Sequence, residues 1–199
     1  MTAQIAYALV AFAFVTTVTP GPNNVMLMAS GANFGVRRTL PHMLGIALGL
    51  VSMILLLGFG LAQVFERLPA AGTVLKALAI AYLLYLAWRI ATAEPRPDAA
   101  PGAEARPMTA LEAAAFQWVN PKAWAMALTG VTVYLPDRTA LTILVAAALF
   151  FAVCLPCVSL WAALGQQLRR VLTNPARRRA FNVTMALLLV ATLWPILTH

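Results

Sequence analysis

Thr19-Pro20-Gly21-Pro22-Asn23-Asn24 interrupts one apolar stretch, near residues 3–32, and Asn120-Pro121-Lys122 interrupts another, near 110–134. Each stretch is long enough for a helix across a bilayer, which takes about 20 apolar residues. Each interruption falls close to the middle. Proline inside a helix removes a hydrogen bond, and its ring collides with the preceding turn. Two prolines flanking a glycine are expected to open the helix and not only to kink it. Each break then reads as the end of one half-helix and the start of another. Gly21 is the expected N-cap of the second half in the first stretch, with Pro22 as its first residue. Asn120 and Pro121 take the same places in the other stretch. The carbonyls of roughly Thr16 to Thr19, and of Phe116 to Val119, are expected to lose their helical partners. They would stand beside N–H groups at the positive end of the following half-helix. A zwitterion needs both kinds of group.

The chain around these breaks is apolar. Of its 199 residues 62% are hydrophobic and 10% charged, whereas an ordinary soluble domain is about 45–50% apolar and about 25% charged. The mean hydropathy is +0.82. A soluble fold of this length could not hide so much apolar surface, which argues against a cytosolic or secreted enzyme. Six apolar segments stand out, near 3–32, 41–65, 70–92, 110–134, 139–165 and 180–198. Helices are expected, because in lipid every backbone group must bond within its own segment, and the alternation of a barrel is absent. The expected fold is all-α: a polytopic membrane protein with one transporter domain over 1–199. Residues 1–92 and 110–199 would form two inverted three-helix repeats, joined by a Pro/Ala-rich linker over 93–109. The broken helices 1 and 4 hold equivalent places in the two halves. That layout belongs to inverted-repeat transporters, whose site lies at the repeat interface. No internal sequence repeat accompanies it.

The net charge of +8 comes from 14 Lys+Arg against 6 Asp+Glu. The cations sit in blocks between apolar segments, so they read as membrane loops rather than a nucleic-acid surface. With six spans, one side holds Arg37, Arg38, Arg89, Arg96, Arg106, Arg169, Arg170, Arg177, Arg178 and Arg179. The other side holds Arg67, Lys76 and Arg138. The positive-inside rule then puts loops 33–40, 93–109 and 166–179 in the cytoplasm and both termini outside. Gly35-Val36-Arg37-Arg38 reads as a short basic turn. The arginines between Gly165 and Ala180 read as a loop touching anionic headgroups. The first cation is Arg37, so no removable signal peptide is expected.

Lys122 falls inside a span, where a lysine costs about 2.5–3.5 kcal/mol on insertion scales unless it pairs or meets water. It is a candidate for a substrate carboxylate, with bonding to carbonyls of the broken helix as the alternative. For Asn23, Asn24 and Asn120 the alternatives are direct substrate contact and capping. Cys154-Leu155-Pro156-Cys157 has redox spacing, but within an apolar span a small apolar pair beside a kink is the plainer reading. Gly45 and Gly49, like Gly31 and Gly35, match the small-xxx-small pattern of close helix packing, within one protomer or across a homodimer. Tyr82, Tyr85 and Trp88 share a helix face that lines either a path or the core. His42 and His199 make no metal site. No Gly-rich phosphate loop is present, and no cofactor is expected. Glu66, Glu112 and Asp137 lie near span ends. Glu112 is the weak candidate for carrying a proton.

Thr19-Pro20-Gly21-Pro22-Asn23, Gly35-Val36-Arg37-Arg38, Gly45, Gly49, the run Ala81–Arg89 and Phe116-Gln117-Trp118-Val119-Asn120-Pro121-Lys122 together resemble the signature of the LysE/RhtB amino-acid exporters. The resemblance spans essentially the whole chain in order, and the TPGPNN form is most similar to the cysteine/O-acetylserine exporter branch. It implies a secondary exporter of amino acids, exchanging them for protons. It also implies a bacterial inner membrane as the location. The candidate substrate contacts are Thr19, Pro20, Gly21, Pro22, Asn23, Asn24, Gly45, Gly49, Tyr82, Gln117, Asn120, Pro121 and Lys122. Lysine/arginine exporters of the wider superfamily carry an acid in span 2, whereas residues 41–65 here contain none. Small neutral zwitterions of the cysteine/O-acetylserine or threonine/homoserine type are therefore expected. The alternative of another class is a membrane thiol-redox protein using Cys154 and Cys157.

Overall fold

The computed structural model describes residues 1–61, 69–93 and 106–194. Glu66, Arg67, Arg96 and most of the 93–109 linker lie outside the described residues. Among those described, the chain is helical without strands. Helix α1 (Ala3–Val18) starts on Thr2, whose hydroxyl accepts from the Ile5 N–H. It stops at Thr19, which is extended (φ −64°, ψ 143°) because the following proline excludes the helical region for its predecessor. Gly21 is fully extended and caps α2 (Pro22–Phe34), with Pro22 in the first turn. The two helices meet at 57°.

Gly35, at φ +83°, turns α2 directly into α3 (Val36–Leu56). A side chain is strained at that angle, so glycine is needed here. A π turn, Leu57–Leu61, extends α3. Helix α4 is Pro69–Ala91. Helix α5 (Ala110–Gln117) begins with a reciprocal capping box between Thr109 and Glu112. The second break then tightens into i→i−3 bonds from the N–H groups of Trp118, Val119 and Asn120. It ends where the Asn120 side chain caps α6 (Pro121–Tyr134). Helices α7 (Ala140–Arg169) and α8 (Pro175–Ala191) complete the chain.

Among the described residues three stretches are long and apolar enough to cross a membrane: Val36–Leu61, Thr73–Ala91 and Ala140–Arg169. The bent pair α1/α2 makes a fourth. The apolar segment at 110–134 folds as α5 with α6, and the described part of 180–198 lies mostly in α8, each helix shorter than 18 residues. The basic loops are shorter than their sequence reads. Arg37 and Arg38 lie in the first turn of α3, Arg169 ends α7, and Arg177, Arg178 and Arg179 lie in α8. Arginine is a good helix former, and its long stem lets the charge reach water from a helix end.

Helices α3 and α7 pack on each other at the centre. The α1/α2 pair leans on α7, α5 and α6 lean on α3, and α4 packs with α8. Phe150, Ile143, Met53 and Ile54 fill the core. Outward-facing Leu48, Phe59, Leu141 and Leu187 stay more than half exposed, as an apolar solvent requires. Polar links gather one end of the bundle. Gln166 accepts from the Val36 N–H at 2.7 Å. Asn182 accepts from Asn33 at 2.8 Å and donates to the Ala93 carbonyl at 2.8 Å. The Arg89 guanidinium reaches the Arg106 carbonyl at 3.5 Å. Arg37, Arg38, Arg89, Arg106, Arg169 and Arg177 thus share that end. Met1, Thr2, Tyr134, Pro136 and Asp137 cluster around a separate pocket formed by the N-terminus and the α6–α7 connection.

The small residues set how close the helices come. A Cβ at Gly45 would strike the Ala110 carbonyl, and one at Gly165 the Met28 carbonyl. Gly45→Leu and Gly165→Leu should each cost about 1–3 kcal/mol or more through overpacking. Outward-facing Leu48→Ala should cost far less. Thermal unfolding of the purified chain in detergent checks the contrast, and equal melting of all three would refute the packing account.

Candidate functional site

At the first break every freed carbonyl finds a new donor. The Thr16 carbonyl accepts from the Thr19 hydroxyl at 3.1 Å. The Thr17 carbonyl accepts from Asn24 Nδ2 at 2.9 Å. The Val18 carbonyl accepts from Trp161 Nε1 of α7 at 3.2 Å. The Thr19 carbonyl accepts from Asn24 Nδ2 at 2.6 Å and from Lys122 Nζ at 2.6 Å. The expectation of carbonyls left open for a ligand is therefore corrected: the protein's own side chains fill them. Backbone acceptors away from water demand this. At the second break the Trp118 carbonyl is likewise filled, by Trp124 Nε1 at 2.7 Å.

Lys122 joins the two breaks. Its ammonium donates to the Thr19 carbonyl, to Thr19 Oγ1 at 3.0 Å and to the Pro20 carbonyl at 3.3 Å. Gly21 makes room for it, since a Cβ there would lie 2.8 Å from Lys122 Cδ. Beside this contact, Asn23 and Gln117 exchange two hydrogen bonds, Nδ2 to Oε1 at 2.8 Å and Nε2 to Oδ1 at 3.1 Å. Gln117 also donates to the Ala113 carbonyl and accepts from Asn120 Nδ2. Asn120 Oδ1 accepts from the Lys122 N–H at 3.1 Å. Asn24, Gln117 and Asn120 are buried, Lys122 is half-buried, and Thr19 and Pro20 are exposed.

A cavity of about 20 Å³ lies between the breaks, room for about one water molecule. Its polar wall includes Thr16, Thr17, Asn23, Asn24, Gln117, Asn120 and Lys122. Its apolar wall includes Ile46, Leu50, Met126, Cys154 and Val158. The Thr17 hydroxyl is buried without a hydrogen-bond partner.

The structure thus brings together Thr19, Pro20, Gly21, Asn23, Asn24, Gln117, Asn120 and Lys122. Pro22 and Pro121 open the two following helices. Gly45 and Gly49 lie instead against α5, where they admit the Ala110–Gln117 backbone closely. Tyr82 stacks on Phe116 at 5.7 Å and on Tyr85 at 5.9 Å, away from the cavity wall. Glu112 forms a bidentate pair with Arg106, at 2.6 and 2.8 Å, beside its capping box. Cys154 and Cys157 are both free and buried.

Thr16, Thr17, Met126 and Cys154 are wall residues that sequence reasoning did not single out as contacts. Two threonines just ahead of the break were a usable sign. Nothing local marks Met126 or Cys154. Among the described residues no group of His, Cys, Asp and Glu is arranged to hold a metal.

An all-helical bundle with long apolar helices and a polar centre where two helices break has the build of a membrane translocator. The family model described as "LysE type translocator" matches residues 14–192, and the chain belongs to this family. It is 31% identical over 201 residues to the cysteine/O-acetylserine efflux protein of Escherichia coli strain K12, covering 96% of each chain. The protein of the same description from Shigella sonnei strain Ss046 matches to the same extent. No solved structure matches.

The Asn23–Gln117 pair predicts a measurable coupling. Gln117→Leu strands the half-buried Asn23 amide and should cost about 1–3 kcal/mol. Adding Asn23→Leu should cost clearly less than the sum of the two single changes. Unfolding of the four proteins in detergent gives the cycle, and strict additivity would mean that the pair is not formed.

Proposed function

We propose that this chain is a secondary active exporter of small neutral amino acids or their derivatives, of the cysteine/O-acetylserine or threonine/homoserine type. It works by alternating access, in antiport with protons. The observation that carries this reading is the meeting of the breaks: an ammonium from one lies on the carbonyls of the other, with a buried amide cluster and a small cavity beside them. Such a centre already holds an ammonium on neutral oxygens, the chemistry a substrate ammonium needs, and carries in Lys122 a cation for its carboxylate. Ile46, Leu50 and Met126 leave no charge to meet a cationic side chain. The relatives' description as cysteine/O-acetylserine efflux proteins supports the same substrate class. The cavity is too small for an amino acid as it stands, so binding requires the walls to part. That need is what alternating access supplies.

Six spans in two inverted halves complete the proposal. Its support is reciprocal packing: the first broken segment lies on α7, the second on α3, and α3 with α7 and α4 with α8 form the shared pairs. Two halves related by a two-fold axis pack in this way. The arginine-rich end faces the cytoplasm of the bacterial inner membrane, against anionic headgroups, and the termini face outward. A proton path through Glu112 would have to break its pair with Arg106.

The test is counterflow in proteoliposomes with a panel of labelled amino acids, with and without a pH gradient. Exchange of cysteine, O-acetylserine, threonine or homoserine is expected, and its absence for all of them would reject the exporter. Asn120→Leu and Lys122→Ala should each slow exchange about tenfold or more, the equivalent of about 1.4 kcal/mol, with insertion intact. Unchanged exchange in both would reject the site.

A further inference from the structure

The Lys122 ammonium has three N–H donors, and three oxygens receive it: the Thr19 carbonyl, the Thr19 hydroxyl and the Pro20 carbonyl, at 2.6, 3.0 and 3.3 Å. A primary ammonium is thereby satisfied in full. All three acceptors belong to the other break, over a hundred residues earlier in the chain. Among the described residues no carboxylate pairs with Lys122. The positive charge is held by neutral oxygens alone, in a cradle whose own residues are exposed. Next to it, the buried Thr17 hydroxyl lines the cavity with no partner.

We infer that Lys122 is a tethered stand-in for the substrate: its ammonium occupies the oxygen cradle that the substrate's own primary ammonium takes on binding, and the displaced lysine turns to the substrate's carboxylate. This inference rests on the exporter reading of the same site. The exchange replaces one ammonium by another, so the cradle keeps its charge and its hydrogen bonds. The carboxylate is what makes the exchange favourable, because it gives the evicted lysine a partner inside an apolar surround. An amine without a carboxylate evicts the lysine and leaves it unpaired. The chain therefore selects zwitterions against simple amines by self-competition, with no acidic residue in the site. The unpartnered Thr17 hydroxyl supplies a further hydrogen bond to the incoming ligand.

Binding to the purified full-length chain in detergent, followed by tryptophan fluorescence, tests this with L-cysteine and with cysteamine, the same molecule without its carboxyl group. The wild-type chain should bind cysteine and bind cysteamine at least about tenfold more weakly. Lys122→Met empties the cradle, and cysteamine should then bind at least about tenfold better than to wild type, while cysteine loses affinity. Gly21→Ala reaches the same point with the lysine present. Gly21 is fully extended, so the backbone accepts alanine, but the new Cβ would lie 2.8 Å from Lys122 Cδ and 3.0 Å from Nζ and push the stem off the cradle. Cysteamine should gain in this variant too. If cysteine binds the wild type and cysteamine stays excluded from whichever of the two variants folds, Lys122 is a fixed strut and the inference is overturned. If the wild type binds no cysteine, the exporter reading for this substrate class fails, and the inference falls with it.

Discussion

Backbone carbonyls freed inside an apolar medium must find donors, and the centre of this protein is the solution to that demand. Pro20 and Pro22 make the α1–α2 break unavoidable. The break then recruits Asn24 from the next turn, Trp161 from α7 and Lys122 from α6. A lysine that would be expensive at this depth becomes useful, because carbonyls that would otherwise stand unpaired accept its protons. Each liability cancels the other. The same contacts tie together segments distant in sequence, so the broken helices act as joints between parts of the bundle.

The joints work only because the helices around them come close. Gly45 and Gly49 let α5 lie against α3, and Gly31 and Gly165 let α2 lie against α7. Without a hydrophobic drive between helices in lipid, such small-residue contacts supply much of the association. Those glycine faces are thus occupied within the chain. Helices α4 and α8 stand to one side as a pair, tied to α2 by the amides of Asn33 and Asn182.

Much of this was legible before any coordinates. Proline and glycine state their geometry locally, so the first break could be placed to the residue and its N-cap named. Asn120-Pro121 did the same for the second, although that break is a tight turn and not an extended gap. Helix ends next to arginine were misjudged, since charge reads as loop while arginine is a good helix former whose long stem carries its charge to the helix end. The partners of the freed carbonyls were not legible. Trp161 carries no local sign that its indole serves Val18, and Cys154 reaches the cavity wall only because α7 packs on the first broken pair. Gly45 and Gly49 were visible as small residues, but which neighbour they admit is a property of the packed bundle.

The distance along the chain between the first break and its donors has a consequence for biogenesis. Thr17, Val18 and Thr19 leave the ribosome long before Lys122 and Trp161 exist. During that interval Asn24 alone, among the side chains that later serve these carbonyls, has been made. The nascent segment therefore lacks its full set of donors until α6 and α7 have been made. Completion of the first break is thus a late event in synthesis, timed by the appearance of an indole and an amine from the trailing part.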